Sequence, residues 1–233
     1  MTKSENSLVT SYSYNAANQL QSEQTPQGQS ATYSYDLNGN VTQHVEGGQT
    51  TSYSWNSQDY LVSVVHPDGT SESYTYCGEG IRRTKTSNTQ NTRFIRDGQN
   101  ILLEVDAGNG TTQRRYTHQG DEWGTLLSLH QGQMSRYYGF DFIANTRLLT
   151  DENGGVSDGY LYSAFGQERQ VAGATNNPLR FGGQVGYYRD EAKRLYIRAR
   201  HLDVNAGRWL SRDPLGFDGD SSSKNCERSG SYR

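Results

Sequence analysis

Tyr33-Ser34-Tyr35-Asp36-Leu37-Asn38-Gly39-Asn40-Val41 decides the fold, because a strand, a reversal and the start of a second strand all lie within it. Tyr33 and Tyr35 are two apart, so on an extended chain both rings fall on one face and Ser34 on the other. Asp36, Asn38, Gly39 and Asn40 tolerate the tight or left-handed backbone of a reversal, and Asn-Gly is a strong hairpin signal. Val41 then restarts an extended run. One unit is strand, turn, strand.

The aromatic-x-aromatic pair returns as Tyr12-Ser13-Tyr14, Tyr53-Ser54-Trp55 and Tyr74-Thr75-Tyr76, which places the second ring at 14, 35, 55 and 76, in steps of 21, 20 and 21. Tyr116, Tyr138 and Tyr160 continue the series at steps of 22. A period of this size, with one hairpin per unit, is the signature of a repeat architecture whose units bury their apolar faces against their neighbours. Like beside like predicts a ladder of rings on one face. Between units, Leu61–Val65, the turn His66-Pro67-Asp68-Gly69, and Thr70–Tyr76 read as a hairpin. Phe94 to Val105 and Arg147 to Gly155 read the same way.

At these residues the chain resembles the YD-repeat or RHS-repeat family, whose units centre on Tyr-x-Tyr-Asp-x-x-Gly-Asn as at Tyr33 to Asn40, with Tyr35, Asp36 and Gly39 in the defining places. The other units are looser, with Asn15, Asn56 or Cys77 where the family prefers Asp. The resemblance covers roughly residues 12 to 219. It implies an all-β fold in which hairpin repeats form a curved, spiral antiparallel sheet, open at its ends here because about ten hairpins are too few to close a shell. The expected organisation is a repeat array over 8–166, a C-terminal core zone over 167–219 and a divergent, disordered tail over 220–233. The chain is expected to be a fragment or a truncation of a longer relative.

Leu, Ile, Val and Phe make up only about 17% of the chain. A net charge of −3, with 17 Tyr and 3 Trp, argues against disorder and for a thin sheet with a tyrosine-rich core face. No run is long and apolar enough for a signal peptide or a membrane span. The two cysteines define neither a disulfide framework nor a metal site, and the five histidines lack ligand spacing. No cofactor and no metal are expected.

The stretch from Gly186 through Leu195-Tyr196-Ile197-Arg198-Ala199-Arg200 to Arg208-Trp209-Leu210-Ser211-Arg212-Asp213-Pro214-Leu215-Gly216 is similar to the RHS-repeat-associated core. In that family, Asp-Pro-x-Gly belongs to an aspartate autoprotease that frees a downstream toxin or variable segment, which makes Asp213 and Arg208 the candidate catalytic residues. Peptide cleavage by carboxylates needs two of them, one ionised and one protonated. The partner aspartate of the family lies past the divergence, where Asp218 and Asp220 are poor substitutes, and Asp213 before Pro214 is also an ordinary turn-former. Arg208 and Arg212 are expected to hold the charge of Asp213. The arginines with Tyr196 and Trp209 suggest a nucleic-acid patch, but alternation of Tyr196, Arg198 and Arg200 with Leu195, Ile197 and Ala199 reads better as one strand with an apolar and a polar face, so no nucleic acid is expected.

The leading expectation is therefore a non-catalytic structural segment of a shell, secreted or at the cell surface, whose partners are further repeats or a C-terminal toxin. The rival readings are a working autoprotease and a carbohydrate-binding or adhesive module in which repeat tyrosines serve as sugar platforms. Tyr12, Tyr14, Tyr33, Tyr35, Asp36, Gly39, Tyr53, Trp55, Tyr74 and Tyr76 define the repeat.

Overall fold

A computed structural model of the chain describes residues 2–5, 8–120, 125–191 and 194–214. Seventeen strands form one antiparallel sheet. They are β1 (Thr2–Glu5), β2 (Leu8–Tyr14), β3 (Leu20–Gln24), β4 (Ser30–Tyr35), β5 (Val41–Glu46), β6 (Gln49–Trp55), β7 (Leu61–Val65), β8 (Ser71–Tyr76), β9 (Arg82–Ser87), β10 (Asn91–Asp97), β11 (Asn100–Asp106), β12 (Thr112–His118), β13 (Leu126–Gln131), β14 (Met134–Phe140), β15 (Thr146–Thr150), β16 (Val156–Tyr162) and β17 (Glu168–Ala172). Each pairs with the next in sequence, so the sheet is a meander, and it is not closed into a barrel. It extends to Ala172, beyond residue 166 where the repeat zone was expected to end. The expected tail over 220–233, and the core zone from 215, lie outside the described residues.

The recurrent turn explains the sequence of the unit. Asp36 N–H donates to the Asn40 carbonyl, Gly39 N–H donates to the Asp36 carbonyl, and Asp36 Oδ1 accepts the Asn40 N–H at 2.8 Å. The fourth residue of the turn takes positive φ, 88° at Gly39, 59° at Asn18 and 60° at Asp59, which selects Gly, Asn or Asp. Asn15 and Asn56 replace the family aspartate because their Oδ1 makes the same bonds, to Gln19 and Tyr60. Cys77 keeps the backbone turn, with Gly80 at 75°, but its thiol brings no such acceptor. The turn is therefore longer than the two-residue Asn-Gly reversal.

Just past each of these turns the register slips by one. Ser34 faces Gln43 while Tyr35 faces Val41, leaving Thr42 as the extra residue of a β-bulge. The same step leaves out Gln21, Val62, Arg83, Leu127, Arg147 and Arg169. A bulge bends its strand and increases local twist. It also returns the first residue of the following strand to the core face, where Leu20, Val41, Leu61 and Leu126 are all buried.

Both rings of each pair do face the core, while Ser34, Ser54 and Thr75 are exposed. They do not form the direct stack that the spacing suggested, because successive pairs sit on every second strand, about 9.6 Å apart. The strand between supplies an aliphatic residue, and the second ring reaches back over it. Tyr35 donates to the Leu20 carbonyl at 2.8 Å, Trp55 to Val41 at 2.7 Å, Tyr76 to Leu61 at 2.7 Å and Tyr162 to Thr146 at 2.7 Å. Each bond lands on the first residue after the preceding unit's turn, which welds unit to unit.

Past β17 the chain crosses back over the sheet through Asn177, Leu179 and a single 3-10 turn, Gly183–Val185. It then forms a second antiparallel sheet from β18 (Tyr188–Glu191), β19 (Arg194–Ile197), β20 (Arg200–Asp203) and β21 (Arg208–Trp209). The single strand expected over 195–200 is a hairpin, because Arg198 takes φ 53° and turns the chain. Its strand β19 is also buried on both faces: Leu195 packs with Leu202 and Val204, and Tyr196 packs with Phe94, Tyr116 and Tyr188. Sheet lies on sheet, so the molecule is thicker than a bare repeat ribbon.

Two substitutions check the turn. Cys77→Asp is expected to raise unfolding stability by about 1 kcal/mol by restoring the turn acceptor. Gly39→Ala is expected to lower it by about 1–2 kcal/mol through left-handed strain, and by more than Gly28→Ala, since the new Cβ stands 2.5 Å from Arg212 Nε whereas Gly28 faces open space. Urea titration of the variants measures both.

Candidate functional site

The densest chemistry of the chain is where the small sheet meets the inner face of the repeat sheet. Arg82 opens β9 at the position that is aliphatic in most units, and it is fully buried. Its Nη1 donates to both carboxylate oxygens of Asp190 on β18, each at 2.7 Å, and its backbone N–H donates to the Tyr196 hydroxyl at 2.9 Å. Among the described residues its Nε and Nη2 have no hydrogen-bond partner. The guanidinium instead lies 4.1 Å from the Tyr196 ring centre and 5.0 to 5.2 Å from those of Tyr188, Tyr74 and Phe94. Four ring faces offset the desolvation of a buried cation.

Beside it, Arg194 Nη2 on β19 donates to Glu72 Oε1 at 2.6 Å and to the Tyr74 hydroxyl at 2.7 Å, and that hydroxyl donates to Glu72 Oε2. Lys85 bridges the two halves, with Nζ 2.9 Å from the Asp190 carbonyl and 3.4 Å from Glu72 Oε2. His66 Nε2 donates to Glu72 at 3.0 Å, and the ring of His201 on β20 sits 3.5 Å from Asp190. A second node holds Glu104 on β11, which accepts from Arg114, from the Tyr116 hydroxyl at 2.6 Å and from the Tyr188 hydroxyl at 3.2 Å. Arg114 Nε donates on to the Asn176 carbonyl at 3.0 Å.

Burial alone would raise the carboxyl of Glu72, but Arg194 and Lys85 outweigh it and hold it at about 2, below an ordinary 4.5. Asp190 is driven well below the usual carboxylate range in the same way, burial being overcome by Arg82 and Lys85. A depressed carboxylate contributes stability that is present above its unfolded pKa and lost as pH falls. Glu72 therefore withdraws its contribution, of order 3 kcal/mol, between about pH 4.5 and pH 2.

The candidate catalytic residues lie at the other end of the small sheet. Arg208 Nη2 on β21 donates to the Tyr14 hydroxyl at 2.6 Å, with its guanidinium 5.3 Å from that ring and 6.0 Å from Tyr12. Asp213 is 44% exposed and pairs with Arg200 Nη2 at 2.9 Å. Arg200, read from the sequence only as part of a strand's polar face, is thus a partner of Asp213, and Arg212 lies against Gly39. Asp218 and Asp220 lie outside the described residues. Among the repeat residues, Tyr53 and Tyr74 are buried, while Tyr12, Tyr14, Tyr33, Tyr35, Trp55 and Tyr76 are half-buried in the core face. A cavity of about 640 Å³ adjoins the ionic cluster, lined among others by His44, Tyr53, His66, Arg194 and Asp203. Among the described residues no group of three or more His, Cys, Asp or Glu is placed to hold a metal ion, and no helix is long and apolar enough to cross a membrane.

Comparison with known proteins bears on the repeat. Residues 14–47 and 35–71 match the family model described as RHS Repeat, in two overlapping copies. Over 85 residues the chain is 35% identical to Double-stranded DNA deaminase toxin A of Burkholderia cenocepacia (strain H111), an alignment that takes in 34% of this chain and only 6% of that protein. Among solved structures, that of TcdB2-TccC3-Cdc42 covers 93% of this chain and 18% of its own at 16% identity, with a TM-score of 0.37. The Photorhabdus luminescens Tc holotoxin pore covers 93% and 17% at 15% identity, with a TM-score of 0.36.

Breaking one side of the ionic cluster tests its weight. Arg82→Met strips buried Asp190 of its two-oxygen partner, leaving Lys85 at 3.5 Å, and is expected to cost about 3–5 kcal/mol, whereas Arg82→Met with Asp190→Leu is expected to recover at least half of that loss. Denaturant unfolding of the double-mutant cycle reads the coupling.

Proposed function

The chain is an RHS-repeat protein, its repeats matching the family model over residues 14–71, and we propose that it serves as a non-catalytic structural segment of a repeat shell that encloses or presents a toxin or a variable C-terminal segment. The observation that carries this reading is the use to which the C-terminal stretch puts its charges. Asp190 and Arg194 are buried against Arg82 and Glu72, and Arg208 is drawn onto Tyr14, so these residues fasten a lid onto the repeat face. Internal pairs of this kind support a wall-closing role. The partly matching Burkholderia protein, named as a toxin, supports a toxin-related setting, and hence partners that are further repeats or a toxin segment, outside the cell or at its surface.

The autoprotease remains the second reading because Asp213 is a solvent-accessible carboxylate held by an arginine. A single carboxylate does not supply both the base and the proton donor that acid-base peptide hydrolysis requires. Intact-mass measurement of the purified chain over prolonged incubation separates the two. The expected result is a single unchanging mass; a fragment that accumulates with time and is abolished by Asp213→Asn would replace the structural reading with the catalytic one. A glycan array addresses the adhesive alternative, for which no binding above background is expected.

A further inference from the structure

His201 sits at the middle of the junction between the two sheets, and its exposure is only 2%. From β18 it is faced by Asp190 at 3.5 Å, and from β19 by Arg194 and by the Tyr196 ring, 5.2 Å between centroids. From the repeat sheet it is faced by the Tyr74 ring on β8, at 5.8 Å, and by Arg82 on β9. Lys85, Glu72 and His66 complete the cluster around these groups. On its own strand the backbone is tied to the residue just past β21, where Leu210 N–H donates to the His201 carbonyl at 2.9 Å. The cluster already holds three cations, Arg82, Lys85 and Arg194, against two carboxylates, Glu72 and Asp190.

We propose that this junction is an acid-sensitive clasp, in which protonation of His201 loosens the small sheet from the face of β8 and β9. A proton on His201 adds a charge to a dry site that already carries an excess of positive charge. Asp190, the anion beside it, is engaged through both of its oxygens by Arg82 and through its backbone carbonyl by Lys85. The imidazolium gains full hydration when the sheets part, so protonation and opening are linked.

The sign follows from where the proton binds. Burial, seconded by Arg194 and Arg82 and opposed by Asp190, lowers the His201 pKa from 6.5 to about 4. Between those values the open form holds more protons than the closed one, so closure is complete above pH 6.5 and weakens as pH falls. Linkage gives an opening constant about thirtyfold higher at pH 5 than at pH 7.5. Glu72, held at about 2 against an ordinary 4.5, adds a factor of only about 1.3 at pH 5. Glu23, whose carboxyl is raised by burial, acts in the opposite sense and lies on β3, where Arg208 and Asp203 of the other end of the small sheet act on it, outside the peptides that report on β8 and β9.

Hydrogen exchange of the full chain reads the clasp directly, with uptake in peptides spanning 71–87 and 194–210 divided by intrinsic rates at pH 7.5, 6, 5 and 4.5. The expected result is a protection loss of about thirtyfold at pH 5, confined to those peptides, and absent in His201→Gln that retains its circular dichroism. Unchanged protection of the wild type from pH 7.5 to pH 5, or an equal loss in folded His201→Gln, overturns the proposal. Should the variant fail to fold, NMR titration of the wild-type His201 ring decides. A ring that takes its proton together with the loss of protection supports the clasp, and a ring that titrates near 6.5 with protection intact overturns it.

Discussion

The pair Arg82–Asp190 is the contact on which the arrangement of the two sheets depends. The two residues are 108 apart in sequence, both side chains are fully buried, and their partners are four aromatic rings and a lysine drawn from both sheets. A buried ion pair gives little net stability compared with apolar residues of the same size, but misalignment leaves an uncompensated charge in a dry site. In this molecule the repeat face is nearly the same in every unit, so apolar packing alone would let the small sheet settle on one pair of strands or the next. The ionic cluster marks one location, β8 and β9, and penalises the others.

The repeat was legible because its cause is local. Two rings two residues apart, an Asx acceptor and a left-handed fourth turn residue together specify strand, turn, bulge and strand, and none of these depends on distant chain. The bulge itself was not legible, since it is a register step between strands and leaves no residue type of its own. Nor was the interleaving of the rings. Spacing alone places Tyr35 and Trp55 on one face, but only the pairing shows that β5 lies between them and that Trp55 reaches over it to the Val41 carbonyl.

The junction left a fainter trace. The first residue after most family-type turns is buried, and it reads Leu20, Val41, Leu61, Arg82, Leu126 and Thr146, with half-buried Glu168 ending the series. Arg82, Thr146 and Glu168 break the apolar series, and all three are held by the C-terminal chain, Arg82 by Asp190, Thr146 through the carbonyls of Leu179 and Arg180, and Glu168 by Arg180 and Arg189. The position two before the first ring behaves likewise. Glu72, Arg114 and Asp158 precede Tyr74, Tyr116 and Tyr160 in phase, which puts charge on the core face, and all three are buried. A charge in phase with a core tyrosine marks where the lid docks, though sequence alone could not name the partner across about a hundred residues.

Seen this way, the C-terminal stretch resembles a catalytic motif because closing a sheet and holding a reactive carboxylate draw on the same residue types. Arginine serves both, since its planar fork pairs with carboxylates and its face stacks on rings. Arg82 stacks beneath Tyr196 while binding Asp190, Arg200 lies 4.0 Å from the Trp209 ring centre while holding Asp213, and Arg208 does the same toward Tyr14. The carboxylate of Asp213 is thus oriented from within the small sheet, by Arg200 backed on Trp209. The Arg200–Asp213 pair orders the C-terminal stretch itself, while Arg208 on Tyr14 ties that stretch to the repeat sheet.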